Sequence, residues 1–160
     1  MDANTPDGPV GLIVVDHGSR RAESNEMLEE MVVMVRATVP YEIVEAAHME
    51  LAEPSIATAF AACVARGART VVVSPYFLLP GKHWRQDIPA LVEEAASRHP
   101  GVTYLVAAPF GLHTLMAEVV NARVEHCLAH VRGEVPECEA CAGTGTCRMV
   151  TATQAPAPAL

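Results

Sequence analysis

The sequence predicts an α/β fold of the doubly wound kind: a four-stranded, mostly parallel sheet with helices on both faces. Two observations carry this. Four short apolar runs rich in β-branched residues alternate with four longer amphipathic ones, the pattern of strand–crossover–strand units. Gly and Pro stand at the junctions between the two kinds of segment, where a chain must turn. A third observation sets the scale. The chain has 160 residues, 51% hydrophobic and 19% charged, which excludes a wholly disordered polymer and suffices for one module with a core. Aromatic residues are 4%, so that core is built from Ala, Val, Leu, Ile and Met.

Residues 11–16 are apolar, β-branched and end at a Gly, as a buried strand should. Residues 41–46, 70–74 and 102–107 are the second, third and fourth strands. The first helix, 24–37, sets Met27, Leu28, Met31 and Val35 on one stripe and Glu26, Glu29 and Glu30 on the other. Met27, Met31 and Met34 read there as core residues, not as a metal box. The second helix, 54–66, opens on Pro54 and closes at Gly67. The third, 87–98, starts with Asp87 as a candidate cap and Pro89 just inside. The fourth, 113–131, is the longest. The module thus spans 10–132 behind a flexible lead, 1–9. A Cys-rich tail, 133–150, follows, and 151–160 is a Pro/Ala/Thr-rich end without periodicity that reads as disordered.

The formal charge is −8, from 11 Lys and Arg against 19 Asp and Glu. That disfavours a sequence-wide affinity for nucleic acid or for an anionic membrane surface. The longest uncharged stretch, 99–117, contains Pro100, Gly101, Pro109, Gly111 and two His, which no membrane span would. The first ten residues are acidic and carry neither an apolar segment nor Arg enrichment, unlike a signal or transit peptide.

In doubly wound sheets ligands sit outside the carboxyl ends of the strands. Two such ends carry a His. The first strand runs into Asp16-His17-Gly18-Ser19-Arg20-Arg21, and the third into a Pro/Gly-shaped loop ending Lys82-His83-Trp84-Arg85. The two loops can be neighbours, so His17 and His83 can face one cavity. Imidazole suits Fe, Co, Ni and Zn, and its pKa suits proton transfer near neutrality. Arg20, Arg21, Lys82 and Arg85 group four of 11 cations around these two His, which points to an anionic ligand. Neither loop has the Gly pattern of a phosphate or dinucleotide site, so carboxylates fit better. Beyond the second strand, Glu45, Glu50 and Glu53 offer a third ligand or base; Glu50 is the choice, because Glu53 suits the start of the next helix. His48, His99, His113, His126, His130 and Cys63 read as structural or surface residues.

The tail reads Cys138-x2-Cys141-x5-Cys147, with Cys127 on the helix before it. Four thiolates can hold zinc or an iron–sulfur cluster; a disulfide or free thiols compete with that reading.

Several ordered blocks resemble the small sirohydrochlorin chelatases: Val15-Asp-His17-Gly-Ser-Arg20, Ala47-His-Met-Glu50-Leu-Ala-Glu-Pro-Ser55, Ser74-Pro-Tyr-Phe-Leu-Leu-Pro-Gly81, His83-Trp84 with Gln86-Asp-Ile-Pro89, and Gly111-Leu-His113. The tail after His126-Cys127 is similar to that of the plant plastid members. The resemblance covers about residues 10–147. It implies the class II chelatase fold and insertion of Fe(II) into sirohydrochlorin to give sirohaem. It implies His17 and His83 as catalytic, metal-binding residues, with Glu50 beside them, and Ser19, Arg20, Arg21, Lys82 and Arg85 against the substrate carboxylates. It further implies a [2Fe–2S] cluster on Cys127, Cys138, Cys141 and Cys147, a homodimer, a plastid stroma location and no nucleotide. Cobalt or nickel insertion, a non-catalytic tetrapyrrole or metal carrier, and an iron–sulfur transfer protein are the competing expectations.

Overall fold

A computed structural model of the chain describes residues 8–151. Residues 1–7 of the expected lead and 152–160 of the expected disordered end lie outside the described residues. The elements in order are β1 (Val10–Asp16), α1 (Ala22–Arg36), β2 (Ile43–His48), α2 (Ile56–Ala65) and β3 (Thr70–Pro75). A single π-helical turn, His83–Asp87, then runs into α3 (Ile88–Ser97), followed by β4 (Thr103–Val106) and α4 (Thr114–Val131). The chain divides into two compact units between Gly111 and Leu112.

The first unit holds the sheet, ordered β2-β1-β3-β4 with every pair parallel. Side chains along a strand alternate between faces, and the core divides accordingly. Ile13, Val15, Ala47, Val71 and Val73 lie on one face with Phe60 of α2 and Ile88 of α3. Leu12, Val14 and Val44 lie on the other with Leu28 and Val32 of α1. Helices therefore cover both faces, as the strand–helix alternation predicts. Each of these buried Val, Leu, Ile and Phe side chains stabilises the fold by about 1.5–3 kcal/mol, so the strand ends are presented from a rigid platform. β1 and β3 are central, and the connections leave them in opposite directions, which places the switch point between their carboxyl ends.

Two local expectations need correction. Met27 and Met34 are exposed, because Leu28, Val32 and Val35 define the sheet-facing stripe and Met27 and Met34 lie well to one side of it. Asp87 makes no capping bond; its carboxylate is engaged elsewhere, as described below. The start of α2 is capped by Ser55, whose hydroxyl accepts from the Thr58 N–H. Glu53 reinforces it by accepting from the Ser55 N–H and the Thr58 hydroxyl, and the Ser55 N–H is the main reason its pKa lies below the ordinary glutamate value. Cys63, on the buried face of α2, has its thiol pushed up to about 12, chiefly by burial.

The second unit contains α4, where the His113 ring accepts from the Leu115 N–H at 3.2 Å as a cap. No α4 residue is buried, and Leu115, Val119, Val120, Val124 and Leu128 are exposed. Among the described residues, no helix is long and apolar enough to cross a membrane.

Candidate functional site

At the ends of β1 and β2 the backbone is interlocked. Asp16 and His48 are register partners; the fully buried His48 ring donates from Nδ1 to Asp16 Oδ1 at 2.6 Å. The same oxygen accepts the Gly18 N–H at 2.9 Å. The Met49 and Glu50 N–H groups in turn donate to the carbonyls of Asp16 and His17. Gly18 turns with φ +84°, and a Cβ there would lie 1.9 Å from the Glu50 carbonyl oxygen. Only a residue without a side chain allows this approach. Its result is a contact of 2.9 Å between His17 Nε2 and Glu50 Oε1, both partly exposed. The other ring nitrogen of His17 donates to the Gly18 carbonyl at 3.1 Å. His48 Nε2 is buried with no hydrogen-bond partner among the described residues.

His83 reaches the same place from β3. The Tyr76–Gly81 loop is tethered where Phe110 and Gly111 donate their N–H groups to the Phe77 and Leu78 carbonyls. The π-helical turn follows, closed by the Ile88 N–H donating to the His83 carbonyl. Its cause is Pro89, which cannot donate to the carbonyl of Arg85 and whose ring crowds that carbonyl. On this turn His83 Nδ1 lies 2.8 Å from Asp87 Oδ2, and the His83 and His17 rings meet edge to face with centroids 5.2 Å apart. Beside them Trp84 donates from its indole nitrogen to the Ala107 carbonyl at 2.9 Å. Trp84, Arg85, Pro89 and Val106 line an open cavity of about 320 Å³.

The structure thus brings His17, His83 and Glu50 together, as the strand-end argument anticipates. Glu45 instead pairs with Arg66 at 2.6 Å and with Arg36 at 3.8 Å. Arg20, Arg21, Lys82 and Arg85 are exposed, and none is ion-paired among the described residues. In contrast, Arg36, Arg66, Arg98, Arg123 and Arg132 all have carboxylate partners. Ser19 Oγ accepts the Arg21 N–H, so its own proton remains free to donate. Leu78 and Leu79 form an exposed apolar lip on the β3 loop. The reading of the sequence passed over Asp16, His48 and Asp87. Only the i,i+4 spacing of His83 and Asp87 offered a signal for the last.

In the second unit all four cysteines are free thiols. The Cys141 thiol interacts with those of Cys138 and Cys147, and Cys147 with Cys127. Backbone N–H groups of Ala140 and Cys141 lower the Cys138 pKa. Partial desolvation, then Cys127, pushes Cys147 up to about 11. Cys127, Cys141 and Cys147 line a cavity of about 320 Å³ with Leu128, Val131 and Met149. Among the described residues no three His, Cys, Asp or Glu side chains are already set around a single-ion position. These four soft donors, linked in the order Cys138, Cys141, Cys147, Cys127 and with Cys138 supported by backbone N–H groups, fit zinc or an iron–sulfur cluster by their chemistry.

Residues 11–127 match the CbiX family. Over 139 residues the chain is 58% identical to the chloroplastic sirohydrochlorin ferrochelatase of Arabidopsis thaliana, covering 87% of this chain and 62% of that one. The putative cobalamin biosynthesis CbiX protein of Marinobacter aquaeolei VT8 superposes with a TM-score of 0.66 at 32% identity, over 76% of this chain and 99% of that one. SirB of Bacillus subtilis with Fe3+ superposes with a TM-score of 0.68 at 32% identity, over 81% of this chain and 49% of that one. The chain therefore spans less than two thirds of the Arabidopsis relative and about half of the Bacillus one. With the match covering most of its length and the parallel sheet in common, the chain belongs to the CbiX family.

Proposed function

We propose that the chain is a sirohydrochlorin ferrochelatase, inserting Fe(II) into sirohydrochlorin to give sirohaem. The observation that carries this reading is the facing pair His17 and His83, each with a carboxylate at hydrogen-bond distance, at the carboxyl ends of the two central strands. Metal insertion replaces two pyrrolic protons by one Fe(II), so the site must offer both a metal ligand and a proton acceptor. The neutral imidazole lone pair serves either purpose. At His17 a proton taken on Nε2 is stabilised directly by Glu50 Oε1, and solvent removes it from this partly exposed pair. Ser19, Arg20, Arg21, Lys82 and Arg85 bind the substrate carboxylates, and the macrocycle lies against Leu78, Leu79, Pro80 and Trp84. No nucleotide enters, because no bond needs activation by phosphate.

Cys127, Cys138, Cys141 and Cys147 would hold a [2Fe–2S] cluster, which supplies one-electron chemistry when bound. Insertion changes no oxidation state, so the cluster stands outside the reaction. The chain acts as a homodimer in this reading. Its support is that the matched module spans 49% of the Bacillus SirB chain, together with the exposed apolar residues of α4. The chloroplastic relative supports a plastid stroma location.

The test is anaerobic insertion into sirohydrochlorin, followed by absorbance, with Fe(II), Co(II) and Ni(II) in parallel. The expected result is turnover fastest with Fe(II). Faster cobalt or nickel insertion would replace the metal assignment, since His ligands accept all three ions. Spectral binding without turnover would identify a tetrapyrrole carrier instead. Light scattering checks the dimer.

A further inference from the structure

We propose that Asp87 is a positioning residue for metal insertion: its carboxylate fixes His83 as the Nδ1–H tautomer and so makes Nε2 the ligating nitrogen. The inference rests on the chelatase reading and deepens it. An ionised carboxylate has no proton to give, so the proton in the 2.8 Å contact between His83 Nδ1 and Asp87 Oδ2 belongs to the ring. A histidine left to itself in water prefers its proton on Nε2. The nitrogen that binds a metal is set by the hydrogen bond the other one makes.

Two further observations favour a role for Asp87 beyond local structure. The His83–Asp87 pair stands on a single π-helical turn, a feature often found at functional sites. No competing cation holds the carboxylate, because Lys82 and Arg85 form no ion pair among the described residues. At His17 the partner of Nδ1 is the Gly18 backbone carbonyl instead of a side chain, and Nε2 meets a carboxylate.

The experiment uses the full chain, purified anaerobically and labelled with 15N-histidine. Long-range 1H–15N correlation reports the His83 tautomer, assigned by its loss in His83→Ala. Titration with Co(II) alone, read as the absorbance increment missing in His83→Ala, reports affinity at the site. Wild type is expected to show His83 protonated on Nδ1. Asp87→Ala should shift the proton to Nε2 and weaken Co(II) binding about 10- to 100-fold, with the circular dichroism unchanged. Asp87→Glu should recover most of both. Should Asp87→Ala fail to fold, Asp87→Asn keeps the side-chain volume and is expected to give the same shift in weaker form. A wild-type His83 protonated on Nε2, or a folded Asp87 variant with unchanged tautomer and Co(II) affinity, overturns the inference. Loss of sirohydrochlorin turnover in wild type with the tautomer and Co(II) results as expected would overturn the chelatase reading and leave this one standing.

Discussion

The two facing histidines are held by opposite means. His17 follows a central strand and is fixed by an interlock of backbone bonds, a buried His–Asp pair and a glycine pressed on a carbonyl. His83 stands on a half-exposed helical turn beyond a long loop and is oriented by one side chain four residues away. The difference teaches that two facing imidazoles can be set half by the sheet and half by a tethered loop with its helical turn. The sheet half fixes position, and the loop half fixes ring orientation.

The largest expected effect removes either histidine. His17→Ala and His83→Ala should each lower insertion about 10²- to 10⁴-fold while leaving urea stability within about 0.5–1 kcal/mol, since both rings are partly exposed. Near-wild-type rates in both variants would refute their roles. The glycines beside them sharpen the contrast. Gly18→Ala meets a backbone oxygen at 1.9 Å with a positive φ, and should cost at least about 2 kcal/mol and most of the activity. Gly81→Ala meets nothing within 4 Å and should change stability by less than about 0.5 kcal/mol. Comparable effects at the two positions would erase the distinction between interlock and loop.

His48→Ala comes next. It removes a fully buried ring and leaves Asp16 without one of its two donors, at an expected cost of about 2–4 kcal/mol, read by thermal unfolding. The smallest effect concerns Glu53. Its pKa is lower in the folded chain, so its stabilisation is fully present above the unfolded value of about 4.3 and is lost as pH falls through the folded one. Glu53→Gln should therefore flatten stability between about pH 5 and 3 and leave insertion at neutral pH unchanged.

Much of this was legible in residues 11–16 and 70–74, β-branched runs that lead directly into His17 and, across a Pro/Gly-shaped loop, to His83. A buried parallel strand reads as a continuous apolar run, and the strand-end rule then locates the ligand side. Glu50 was legible for a similar reason, by its place just past the second strand. Asp87 was not, because Asp two residues before a Pro has the signature of a helix cap whether or not the cap bond forms. His48 was not either: a one-dimensional pattern does not show that the register of β1 and β2 sets it beside Asp16. Met27 and Met34 misled because a stripe drawn on a helix has no absolute direction until a sheet supplies one.

The four unpaired cations carry a kinetic consequence. On a chain with a formal charge of −8, the proposed reading makes Arg20, Arg21, Lys82 and Arg85 the part of the described surface that attracts a polycarboxylate. Such a field guides encounter as well as grip. Added salt shortens its reach to about 10 Å at 0.1 M, so capture at low substrate slows with ionic strength while turnover at saturation does not. On the proposed reading, which cations the fold leaves unpaired thus decides how much salt the protein tolerates before substrate supply, not chemistry, limits it.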